Sequence, residues 1–199
     1  MTVSQEFSSW FAPSHIDISP APEISEKAPS CPELVFPSET RKPSIIAFLR
    51  HCGCPVAESS FLTMRKAAAE NPAIDFVAIS HSDQQSTDKW LDAIGGSKEI
   101  NSSESVSVIV DVERKVYAKW GLGTVSWSHV LSPAGLHGIF KLGKEKGIWN
   151  RPTESGSRWQ SGGYWAVDGD GYVRWGGPAT RVDEVINIAE AMDALKTEQ

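Results

Sequence analysis

The chain has 199 residues, 40% of them hydrophobic, enough for one filled core and too little for two large domains. A formal charge of −6 and a pI near 5.4 leave no basic surplus for nucleic-acid phosphates or anionic lipid, so neither nucleic acid nor a membrane is an expected partner. The N-terminus lacks the cationic start and apolar core of a secretory signal, and no run reaches transmembrane length, so a cytoplasmic location is expected.

Residues 1–32 are rich in Ser, Pro and Glu, which predicts a flexible N-terminal arm ahead of a folded domain over 33–199. SIIAFL (44–49) is a continuous apolar run with β-branched residues, as in a central strand covered on both faces. Pro55 suits a first helical position, and Ala57, Phe61, Met64 and Ala68 recur at helical spacing until Asn71-Pro72 stops the segment. IDFVAIS (74–80) predicts a second strand and a βαβ unit of right-handed crossover. A polar helix follows from Asp83 to Ile94, then a third strand over 105–110 and a short helix over 116–123. Residues 127–147 predict a helix interrupted near Pro133. YWAVDGDGYVRW (164–175) is a hairpin signal, with two alternating runs across Asp-Gly-Asp-Gly. Val185, Ile188, Ala189, Met192 and Leu195 predict a closing amphipathic helix. The order β-α-β-α, insertion, β-β-α gives an α/β fold class of thioredoxin-like topology: a central mixed sheet flanked by helices, with a helical insertion before the C-terminal hairpin and helix.

Chemistry concentrates in FLRHCGCPVAESSF, from Phe48 to Phe61. Cys54 falls where the first strand passes into the first helix, and the free N–H groups and dipole of a helix N-terminus stabilise a thiolate there. Arg50 and His51, just upstream, supply positive charge or a hydrogen bond. Cys52 reads equally as a packed strand-end residue and as a partner in a strained, easily reduced Cys-Gly-Cys disulfide. Three cysteines, Cys31, Cys52 and Cys54, are too few for a disulfide scaffold. His51, Cys52 and Cys54 make a poor metal set, so no metal and no cofactor is expected.

Eight tryptophans are an unusual number for this length. Trp127, Trp149, Trp159 and Trp165, with Arg158, are the candidates for a substrate pocket in the second half of the chain; the competing reading is that several simply fill the core. His129 and His137 read as solvated or packed, and His81, at the end of the second strand, as a polar contact at the usual ligand end of a parallel sheet.

FLRHCGCPVAES, VIVDVERKVYAKWGLG and GGYWAVDGDGYVRW occur in this order over about 42–195. Together they resemble the alkyl hydroperoxide reductase/thiol-specific antioxidant branch of the thioredoxin superfamily, in particular its divergent peroxiredoxin-like proteins. The resemblance implies that Cys54 is the peroxidatic cysteine, converted by a peroxide to a sulfenic acid. Three departures stand beside it. His51 occupies the position where the family has a threonine, Gly162 the position of an arginine before the hairpin strand, with Arg158 out of register, and Ala57 the second position of a Cys-x-x-Cys pair.

Two functions follow. One is a thiol-dependent, peroxiredoxin-like oxidoreductase acting on a peroxide through Cys54, with Cys52, Cys31 or an external thiol reductant resolving the sulfenic acid. The other is a thioredoxin fold adapted to bind, isomerise or cyclise a large organic metabolite in secondary metabolism, without redox cycling. Either leaves a homodimer open, and the first requires that the Cys54 sulfur have a path to water.

Overall fold

A computed structural model describes residues 13–95, 106–126, 132–152 and 155–196. Five strands form one mixed sheet in the order β3-β2-β1-β4-β5. β1 (Ser44–Phe48) is central, β2 (Asp75–Ser80) runs parallel to it, and β3 (Ser107–Val110) runs parallel to β2. β4 (Gly163–Val167) is antiparallel to β1, and β5 (Val173–Pro178) closes the hairpin. The helices are α1 (Pro55–Glu70), α2 (Gln84–Ala93), α3 (Lys115–Lys119), α4 (Pro133–Lys146) and α5 (Ile188–Lys196). The expected α/β, thioredoxin-like arrangement is therefore present.

Alternation along β1 explains why it is apolar throughout. Ile45, Ala47 and Leu49 face one core with α1, Trp90 and Ala191, while Ile46 and Phe48 face another with Tyr117, Trp120, Trp165 and Val167. The second core is aromatic: the Phe48 ring lies 5.1 Å from Tyr117 and 5.4 Å from both Trp120 and Trp165, with its Tyr117 and Trp165 contacts edge-on.

Local chemistry sets the element ends. α1 begins on Pro55, a residue without an N–H to leave unpaired, and stops at Asn71. Asp83 caps α2 by accepting from the Ser86 N–H at 2.7 Å. Asp111 Oδ2 accepts from the N–H groups of Val116 and Tyr117 at 2.7 and 3.1 Å, which starts α3. The hairpin turn is ordered by Asp168, whose Oδ1 accepts from Asp170 and Tyr172 N–H groups and whose Oδ2 pairs with Arg174 at 2.6 Å.

Two boundaries differ from the sequence expectation. Pro133 is the first residue of α4, capped by Ser132, and not an interruption within a longer helix; the expected portion at 127–131 lies outside the described residues. α5 begins at Ile188, because Val185 and Ile186 reach the core from an irregular approach. From the N-terminal arm, Ser19 donates to Ala118, Ser25 to Val173 and Ala28 to Gly171, so this stretch runs beside α3 and the hairpin. Among the described residues no helix is long and apolar enough to cross a membrane.

Candidate functional site

The C-terminal ends of β1 and β2 carry the site, and one phenol fixes them together. Tyr117 Oη donates between the carbonyls of Leu49, at 2.5 Å, and Ile79, at 2.7 Å. Beyond Leu49 the chain turns: the His51 carbonyl accepts from the N–H groups of Gly53, at 2.9 Å, and Cys54, at 3.1 Å. Cys54 is then the N-cap residue of α1, in extended conformation, and its side chain makes no capping hydrogen bond. Its sulfur instead accepts from Arg50 Nη1 at 3.8 Å. Arg50 Nη2 donates to the Arg158 carbonyl at 2.7 Å, and its Nε is buried without a partner. The arrangement places a guanidinium and a helix N-terminus around one sulfur, and both stabilise an anion.

The thiol is closed off in this conformation. Cys54 is 2% exposed, so the open path to water that the chemistry needs is absent here. Three contacts tie the described residues between α4 and β4 to the neighbours of Cys54. Arg151 N–H donates to the Gly53 carbonyl at 3.0 Å, the Arg151 guanidinium grips buried Glu58 of α1 through two hydrogen bonds of 2.7 and 3.1 Å, and the Arg158 carbonyl holds Arg50. Gly162 ends this loop, and a Cβ there would fall 2.8 Å from the Phe48 carbonyl and 3.4 Å from Arg50 Cγ. The position where the family resemblance expects an arginine is thus pressed against β1, and the cation near the sulfur comes from β1's own end.

Cys52 has a different environment. Its sulfur lies 3.4 Å from Ser80 Oγ and donates to Thr87 Oγ1 at 3.6 Å, while its N–H donates to Ser82 Oγ at 3.2 Å. Burial pushes the Cys52 thiol pKa up, against the pull of hydrogen bonds from Ser80, Ser82 and Thr87. Ser80, Ser82 and Thr87 carry no sequence signal beyond their place at the β2 end and in α2. His51 is buried, and desolvation, followed by repulsion from Arg50 and Arg158, holds its pKa well below the usual imidazole range. It is a neutral ring at pH 7, which leaves Arg50 as the charge beside Cys54.

The described tryptophans of the expected pocket lie in different environments. Trp165 is fully buried in the aromatic core and Trp159 is 3% exposed, whereas Trp149 is half exposed against Phe140, at 6.0 Å between rings. Trp127 and His129 lie outside the described residues. His81 is buried, with Nε2 accepting the Ser157 N–H at 2.9 Å. Cys31 packs against the aromatic core on the other face of the sheet from Cys54. No group of three or more potential metal ligands occurs among the described residues.

A sequence profile described as AhpC/TSA antioxidant enzyme matches residues 61–180. The chain belongs to the AhpC/TSA antioxidant enzyme family. The match opens at Phe61, after Cys54, so this AhpC/TSA assignment speaks for the scaffold and leaves the sulfur to the geometry. Among solved structures, a thiol peroxidase from Chromobacterium violaceum is similar at 13% identity and TM-score 0.56, covering 90% of each chain. A peroxiredoxin-like protein from Aquifex aeolicus is similar at 12% identity and TM-score 0.57, covering 90% of this chain and 89% of the other. At such identities the likeness shows the thioredoxin-like fold alone. No curated protein matches.

Proposed function

We propose that this AhpC/TSA-family protein is a thiol peroxidase with Cys54 as its peroxidatic nucleophile. The Cys54 thiolate attacks the nearer oxygen of a peroxide; the S–O bond forms as the O–O bond breaks, the alkoxide or hydroxide leaves and takes a proton, and Cys54 becomes a sulfenic acid. The observation that carries this reading is the placement of Cys54 at the α1 N-cap with Arg50 Nη1 on its sulfur. A peroxide group is small, so a local opening of the loop that carries Arg151 and Arg158 is enough to admit it; such sub-global openings lie at the low end of a fold's stability.

The test uses the full chain with dithiothreitol as electron donor. Cys54→Ser is expected to abolish peroxide consumption, by about a hundredfold or more, and Arg50→Met to slow iodoacetamide alkylation of Cys54 at neutral pH. Equal peroxide consumption by wild type and Cys54→Ser removes the proposal. Burial of Trp165 and Trp159 gives the metabolite-binding alternative no comparable support.

A further inference from the structure

One side of α4 is seated in the fold, and another leaves large apolar side chains in the open. Ile139 and Leu142 pack against the α1 core, and a Cβ on Gly135 or Gly138 would meet Val182 or Asp183. Leu136 and Phe140, one turn apart, are nonetheless 49% and 51% exposed. Trp149, 52% exposed, lengthens their row, because the chain folds back after α4 and lays the indole against Gly143, where a Cβ would fall 2.5 Å from the ring. Lys144 Nζ stands 5.4 Å from the centre of the Phe140 ring.

Charge is unevenly spread around this row. The whole chain carries −6, yet residues 132–152 hold Lys141, Lys144, Lys146 and Arg151 against one carboxylate, Glu145. Arg151 is paired with Glu58, and Asp183, beneath the helix, is held by Arg181. Glu145 lies 3.8 Å from Lys141, both well exposed, and water keeps such a pair weak. The lysines therefore give the exposed row a positive border.

We infer that the outer face of α4, with Trp149, is a docking surface for an anionic lipid bilayer. Leu136, Phe140 and Trp149 enter the boundary between headgroups and acyl chains, while the lysine stems lie alongside and their ammonium groups reach the headgroup anions. An indole suits that depth, its body being apolar and its N–H wet. An acidic peptide would match the lysines too, but side chains projecting from a convex helix favour a deformable apolar layer over a ligand that needs a groove. Three half-exposed side chains bury too little apolar surface to hold the chain on neutral lipid, so the lysines decide, and the surface selects anionic lipid. The 14-residue α4 lies in the interface plane and spans nothing. Docking is independent of the chemistry at Cys54.

The full chain is sedimented with vesicles of pure phosphatidylcholine and with vesicles of equal parts phosphatidylserine and phosphatidylcholine. Partition onto the anionic vesicles should exceed that onto neutral ones by about tenfold or more and should fall as salt rises. Phe140→Ser and Lys144→Glu, both at exposed positions, should each lower it by roughly three- to tenfold with wild-type urea midpoints. The difference in fluorescence between wild type and Trp149→Phe should shift to the blue on the anionic vesicles. Four results each overturn the inference: no preference for anionic vesicles, unchanged partition in either folded variant, tighter binding of soluble polyglutamate than of vesicles, or a self-association in solution that Phe140→Ser abolishes. The last two would give the face to an acidic protein or to a second copy of the chain.

Discussion

His81 couples the connection between α4 and β4 to acid. Burial lowers its pKa from 6.5 to about 4, against the pull of its hydrogen bond to the Ser157 backbone. Between these values the unfolded chain binds a proton that the folded chain refuses, so stability is full above pH 6.5 and falls as pH drops toward about 4. The loss attributable to His81 is on the order of 3 kcal/mol. His51, shifted in the same direction, adds to it. His81→Gln keeps an acceptor and removes the titration. Urea unfolding at a series of pH values should therefore show a shallower decline in this variant, and parallel wild-type and variant profiles would refute the assignment.

At the scale of elements, the Glu58–Arg151 pair latches α1 to the connection between α4 and β4. Glu58 stands one turn into α1 with its side chain 8% exposed, and Arg151 reaches it with a bidentate grip. Glu58→Gln removes the charge and should lower stability by roughly 1–3 kcal/mol. The same change should speed Cys54 alkylation in the native protein; an unchanged alkylation rate would show that the latch does not gate the sulfur. The elements themselves were largely legible in the sequence, because continuous apolar runs, a proline at a helix start and an Asp-Gly turn are local signals. Cys54 at the strand-to-helix junction was legible for the same reason. The latch was not, since Glu58 and Arg151 are 93 residues apart and nothing in either neighbourhood announces the other. The burial of Trp159 was not legible either, since its polar loop has no periodicity; its carbonyl accepts from the distant Val125 N–H at 2.7 Å.

For the whole molecule, one sheet separates two cores with different duties. The α1 side buries both site cysteines, and the opposite side is the aromatic layer beneath β1. The arm crosses this second side, and Arg114, the N-cap residue of α3, donates to the Ser14 carbonyl at 2.6 Å. Deleting residues 1–32 removes that bond and those from Ser19, Ser25 and Ala28, and should lower unfolding stability by roughly 2–4 kcal/mol. The readout is urea denaturation, and an unchanged midpoint would show that the arm contributes nothing to the fold.

Tyr117 makes the two strand termini that aim the site share a single phenolic proton. The alignment of the reactive turn is thereby entrusted to a residue far downstream of it. A homologue could preserve every letter of FLRHCGCPVAES yet, with phenylalanine in place of that tyrosine, carry the inscription without the aim.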